Sequence, residues 1–118
     1  MVDKPHLDEE ALAELQDVME DEFEMLIQTY LKDSRERIES LKAAMNEGEA
    51  DAFAKTAHSF KGSCINIGAP RLGELCREAE KTGQDERLSD APPLLDAIEA
   101  EFQQVIDGLH TLMARGAG

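Results

Sequence analysis

The sequence predicts an all-α fold, an antiparallel up-down-up-down four-helix bundle with a short additional N-terminal helix across one end. Three observations carry that expectation. Apolar residues recur at spacings of three and four over four long stretches, and no segment alternates as a half-buried strand does. With no Trp, one Tyr and four Phe in a chain that is 42% hydrophobic, the core falls to Leu, Ile, Ala and Met, a palette that favours helix. Gly48, Gly68, Pro70, Pro92 and Pro93, finally, fall at the joints between the stretches. At 118 residues the chain has room for one core and not a second, so 1–118 reads as a single domain with a lead at 1–7 and a loose tail at 115–118.

Asp8 is placed as an N-cap for a short first helix carrying Leu12, Leu15, Val18 and Met19. Asp21 and Glu22 open a second helix whose apolar positions Phe23, Leu26, Ile27, Tyr30, Leu31, Ile38, Leu41 and Met45 recur until Gly48. At about 1.5 Å per residue it spans close to 40 Å and is the longest element. A third helix starts near Glu49 and ends at Gly68, which suits a left-handed cap, and Pro70 suits the first turn of the fourth. That helix carries Leu72, Leu75, Cys76 and Ala79 and is expected to fray into Gly83, Gln84 and Asp85. Pro92 and Pro93 open a fifth, bearing Leu94, Leu95, Ile98, Phe102, Val105, Ile106, Leu109 and Met113.

The third helix holds the chemistry. Taken at about 100° per residue, it puts Phe53, Thr56, Ala57, Phe60, Cys64 and Ile67 on one side and Ala54, His58, Lys61, Gly62 and Ile65 on the other. Gly62, inside a helix, costs roughly 1 kcal/mol relative to Ala, and one turn beyond His58 the reason for it is clearance for something large that must reach the imidazole. His58 lies ten residues before Gly68 and Glu80 twelve after it, roughly 15 Å and 18 Å along two antiparallel helices, so the two stand at about the same height. A Glu80 carboxylate accepting the Nδ1 proton leaves Nε2 as a nucleophile facing solvent, and Lys61 on the same face can neutralise phosphoryl oxygens. His6 and His110, by contrast, read as ordinary polar surface residues.

Composition excludes other classes. Twenty-six acidic against twelve basic residues give a formal charge of -14, which repels nucleic acid and anionic membranes. No apolar run approaches the roughly 20 residues of a membrane span, and Met1 to Pro5 lacks the pattern of a signal peptide, so a cytoplasmic protein is expected. Cys64 and Cys76 fall at apolar positions with no CxxC or His/Cys cluster, which suggests reduced core thiols and no metal site. There is no P-loop, kinase signature or Mg²⁺-binding carboxylate cluster, so a phosphoryl group must arrive from elsewhere.

The stretch His58 to Glu80, HSFKGSCINIGAPRLGELCREAE, resembles the signature of histidine-containing phosphotransfer (HPt) domains: histidine, two residues, Lys-Gly, small residues, Gly-Ala, a leucine and a glutamate or glutamine. Length and helix layout agree, so the likeness covers essentially the whole chain as a free-standing domain. It implies an intermediate in a multistep His-Asp phosphorelay, in which His58 takes a phosphoryl group on Nε2 from the aspartate of a receiver domain or hybrid sensor kinase and passes it to a response-regulator receiver. Lys61, Gly62 and Glu80 fall on the family's lysine, glycine and histidine-bonding side chain, Ser63 on its small residue, Gly68 on the helix-ending glycine and Leu72 on the core leucine; Cys64 stands in a place often held by alanine or another small residue. The resemblance further implies a phosphocarrier without kinase activity, with no cofactor of its own, since Mg²⁺ comes with the receiver, and a monomer.

For docking, Ala54, Ser59 and Ile65 surround His58, and the stretch of the second helix near Ser34, Arg35 and Ile38 is expected alongside, because both lie about ten residues from the Gly48 turn. Such a surface suits a small transient interface. Two other readings compete: a bundle that binds and inhibits a kinase or receiver without being phosphorylated, and a metal-binding bundle, against which the absence of paired His and Glu at i, i+3 spacing argues.

Overall fold

The structure, a computed structural model, describes residues 4–116. Among them there are five α-helices and no strand: α1 (Glu9–Met19), α2 (Phe23–Glu47), α3 (Ala50–Ile67), α4 (Pro70–Gln84) and α5 (Ala91–Gly116), with 3-10 turns at Glu20–Glu22 and Leu88–Asp90. α2 packs beside α3, α3 most extensively on α4, α4 beside α5, and α5 returns to α2, closing an antiparallel ring of four. No described helix is long and apolar enough to cross a membrane.

The apolar stripes meet inside the ring. Ile27, Leu31 and Leu41 of α2, Phe53, Phe60 and Cys64 of α3, Leu72 and Cys76 of α4, and Ile98, Val105 and Leu109 of α5 are buried to within 1% of their surface. Burying such a side chain stabilises the fold by about 1.5–3 kcal/mol. Cys64 and Cys76 are free thiols in this core. The Tyr30 hydroxyl stands 3.3 Å from Cys64 Sγ, and burial pushes its pKa up.

Gly68 ends α3 at φ +89°, a left-handed conformation that an L side chain rarely adopts, and its N–H with that of Ala69 returns to the carbonyls of Cys64 and Ile65. The turn also seats the N-terminal helix. The Asp8 N–H donates to Gly68 O at 2.8 Å, the Asp8 side chain accepts from Ala11 N, and Leu12 is fully buried against the bundle end. α1 therefore lies across the end where α3 gives way to α4.

Residues 4–7 of the lead form a fastened strap: Lys4 Nζ pairs with Glu74 Oε2 at 3.1 Å, Lys4 O accepts from Arg71 Nε, and Leu7 packs on Gly108. Three sequence expectations are corrected here. His6, read as a plain surface residue, contacts the buried carboxylate of Glu101, Nδ1 to Oε2 at 2.6 Å, because a buried carboxylate needs a partner. At the other terminus Arg115 and Gly116 continue α5 instead of forming a tail; Met1 to Asp3, Ala117 and Gly118 lie outside the described residues.

The third correction concerns α4, which does not fray at Gly83. That residue is helical and buried, and a Cβ there stands 2.8 Å from Ala54 N and 2.9 Å from Ala50 O. The two backbones cross in near contact at this point, with Gly73, Cys76 and Ala79 continuing a row of small buried side chains along α4. Gly83→Ala is expected to lower stability by about 1–3 kcal/mol, since backbone atoms cannot step aside. Gly73→Ala, whose Cβ meets its nearest neighbours at 3.6 Å, is expected to be neutral or slightly stabilising. Urea denaturation of the two variants side by side checks the contrast.

Candidate functional site

The close α3–α4 crossing brings Glu80 within reach of α3. Its two carboxylate oxygens are taken separately: Oε2 by His58 Nδ1 at 2.8 Å and Oε1 by Lys61 Nζ at 2.7 Å. A carboxylate only accepts, so the neutral imidazole bears its hydrogen on Nδ1 and keeps a lone pair on Nε2. The three side chains differ in exposure in a way that suits this division. Glu80 is 16% exposed and Lys61 24%, whereas His58 is 67% exposed, so the pair that orients the ring is sheltered while the ring itself meets solvent. Beside them an added Cβ on Gly62 meets nothing within 4 Å. Nothing in the packing of the domain demands a glycine there.

On the other flank of His58 a groove of about 690 Å³ opens between α1, α2 and α3. Leu15, Met19 and Leu26 form its apolar end, while Asp33, Arg37 and Ser59 form its polar end next to the histidine. Arg37 Nε donates to Ser59 Oγ at 3.2 Å. Among the described residues, no three His, Cys, Asp or Glu side chains form a group able to hold a metal ion.

The Hpt domain family model matches residues 25–108, well over half of the chain. This chain belongs to the Hpt domain family. Among solved structures, the histidine-containing phosphotransfer protein B (HptB) from Pseudomonas aeruginosa PAO1 is similar at 44% identity and a TM-score of 0.89, over 94% of this chain and 96% of that one. The histidine-containing phosphotransfer protein ZmHP2 from maize superposes with a TM-score of 0.81 over 92% and 90% of the two chains, and at 20% identity it shows the shared fold alone. No curated protein sequence matches the chain.

In this Hpt domain the residues expected around the histidine divide. His58, Lys61, Gly62 and Glu80 come together, Ile65 is 63% exposed one turn further along α3, and Ser59 lies at the surface. Lys61, expected to face phosphoryl oxygens, gives its ammonium to Glu80 in the resting state. Ala54 is corrected: it is buried beneath Gly83 and belongs to the α3–α4 crossing, not to a docking surface. Ser34 and Ile38 are corrected as well, since Ser34 is fully buried and Ile38 is 6% exposed in the core. Arg35 lines, with Ile38, a different groove facing Glu99, Phe102 and Ile106 of α5. Counting residues from the Gly48 turn set the right height on α2 but not the azimuth. A single residue turns a helix by about 100°, so Arg37 faces α3 where Ile38 does not. Leu26, Thr29, Asp33 and Arg37, at i, i+3, i+7 and i+11, carry the signal that identifies this face, and the apolar surplus of Leu15 and Met19 on α1 completes it.

The ammonium of Lys61, then the imidazole of His58, hold the Glu80 carboxyl below the usual carboxylate range, against the opposing push of its partial burial. A carboxyl with a lowered folded-state pKa contributes stability that is present above its unfolded value and is lost as pH falls through the folded one. The triad is therefore intact at neutral pH and comes apart only on the acid side of 4.5, the ordinary value for Glu. Lys61→Met removes the largest of these causes, so the Glu80 midpoint followed by carbon-13 NMR is expected below 4.5 in the wild type and to move up toward it in the variant.

Proposed function

We propose that this Hpt domain is a phosphocarrier in two-component signalling, taking a phosphoryl group on His58 from the phospho-aspartate of a receiver domain or hybrid sensor kinase and delivering it to a response-regulator receiver. The observation that carries the reading is the exposed imidazole fastened through Nδ1 to a sheltered carboxylate, with open space over Gly62. In the forward step the Nε2 lone pair attacks phosphorus, an N–P bond forms, and the P–O bond breaks with its electron pair returning to the aspartate carboxylate. The ring then carries a positive charge, and Glu80 stabilises it through the Nδ1–H it already holds. Delivery to a second receiver reverses each change, the N–P pair returning to Nε2.

Lys61 is proposed to serve both ligands in turn. An ammonium has three hydrogens, so one can stay on Glu80 while another meets a phosphoryl oxygen. The domain supplies nucleophile and docking surface, and the receiver supplies its own acidic pocket and Mg²⁺. With no nucleotide-binding motif in the sequence, carrier rather than kinase is the reading that fits, and cytoplasmic receivers set where it works. The partner is proposed to seat over Ile65 on one side of His58 and the Leu15, Met19 and Leu26 end of the groove on the other.

Incubation with a phosphorylated receiver and Mg²⁺ is expected to place an acid-labile, base-stable phosphate on the wild type and none on His58→Gln. Absence of label from the wild type, with binding retained across several receivers, would replace this reading with that of an inhibitory module. Gly62→Gln separates access from folding. A Cβ there meets nothing within 4 Å and Gln improves helix propensity over Gly by up to about 1 kcal/mol, so the melting temperature is expected to hold or rise while the transfer rate falls at least roughly tenfold.

A further inference from the structure

Arg37 is a residue of the His58 groove to which the proposed reaction gives no task. It stands on α2, partly buried, across from the start of the exposed face of α3. Its single hydrogen bond is from Nε to Ser59 Oγ at 3.2 Å, the residue that follows His58. Nη1 of the same guanidinium is buried and has no acceptor. Buried charged donors are normally paired, because removing them from water without a partner is costly.

Among the described cations Lys32, Arg35, Arg71 and Lys81 also have no carboxylate partner, but Arg37 is the one with a buried nitrogen left without an acceptor. Carboxylates outnumber cations more than two to one, and many cations take one: Lys61 pairs with Glu80, Lys42 with Glu99, Lys4 and Arg77 with Glu74, and Lys55 with Asp51. Arg37 has none, although Asp33 lies one turn before it on the same groove wall. Ser59, a neutral hydroxyl, is a weak holder for a guanidinium whose planar fork matches a carboxylate with two parallel hydrogen bonds. The side chain is thus parked, not satisfied.

We infer that Arg37 is the anion-recognition residue of the docking face: it leaves Ser59 when a partner seats over His58 and forms a bidentate pair with an Asp or Glu carboxylate on that partner. This rests on the phosphocarrier reading and identifies the chemistry of its partner. The contact of Arg37 is with Ser59 and not with the imidazole, so the anion is one the partner brings and not the phosphoryl group on the ring. A chain of charge -14 repels an acidic partner at long range, and a local cation released at contact offsets that repulsion where it matters. Specificity follows as well. A partner without a carboxylate opposite Arg37 leaves the guanidinium as poorly paired as before, whereas the right partner completes it.

The test measures the dissociation constant for an unphosphorylated receiver that labels the wild type, using wild type, Arg37→Gln and Arg37→Lys at low and high salt. Expected is a loss of roughly tenfold for Arg37→Gln at low salt that shrinks at high salt, with a smaller loss for Arg37→Lys, which keeps the charge but not the fork. Asn and Gln substitutions of the receiver's surface carboxylates are expected to include one that weakens binding to the wild type and has no further effect on Arg37→Gln. Equal affinity of wild type and Arg37→Gln at low salt overturns the inference. So does an Arg37→Gln variant that binds normally but loses its phosphohistidine faster, since the anion is then the phosphoryl group. A melting temperature of Arg37→Gln well below the wild type, with a loss of affinity that does not respond to salt, overturns it in favour of a structural role. Failure of the wild type to take label from a receiver it binds overturns the phosphocarrier reading by itself, and the Arg37 comparison on that bound receiver is still read in the same way.

Discussion

The contact on which the site depends is one carboxylate shared between two helices. Glu80 reaches from α4 to hold the imidazole of His58 with one oxygen and the ammonium of Lys61 with the other. Each of these bonds presupposes the others. Lys61 lowers the pH at which the carboxyl takes up a proton, the ionised carboxyl sets the tautomer of the ring, and the tautomer decides which nitrogen keeps its lone pair. Partial shelter strengthens both bonds without burying the histidine, because the lower local dielectric acts on the carboxylate end of the network and water on the other.

That contact is a consequence of how closely α3 and α4 pack. A Glu side chain spans only a few ångströms beyond its own helix, so the axes must approach, and the row Gly73, Cys76, Ala79 and Gly83 removes the bulk that would hold them apart. At Gly83 the approach is so close that α3 backbone atoms occupy the space of a side chain. A glycine that looks like a helix-breaking terminus in the sequence is in the fold a packing residue, and the position of Glu80 one turn before it follows from that. Larger side chains such as Phe53 and Phe60 point from α3 into the ring of helices, where there is volume for them.

The groove on the other flank has a different origin. It exists because α1 crosses the end of the bundle and brings Leu15 and Met19 beside Leu26 of α2. The crossing is held by the Asp8 N–H on Gly68 O and by the strap before it, where His6 meets the buried Glu101 and Lys4 meets Glu74. Polar contacts, each modest, thus join the burial of Leu12 and the packing of Leu7 on Gly108 in positioning an apolar surface next to the histidine.

How much of this was legible in the sequence follows from the kind of information each feature needs. Most helix limits, the left-handed Gly68 and the alignment of His58 with Glu80 depend on spacing along one or two helices, and a periodic pattern of Leu, Ile, Phe and Ala determines them through rise and turn per residue; the ends of α4 and α5 did not follow from it. The sequence therefore determined by itself an all-α bundle with an exposed His58 and a carboxylate at its height. The burial of Ala54 and Ile38, the pairing of Lys61 with Glu80, the fastening of His6 and the presence of Arg37 in the groove were decided by the tertiary structure alone. Each depends on the azimuth and separation of neighbouring helices, which are set where side chains of different volume meet, and neighbours in the chain do not specify which volumes will meet.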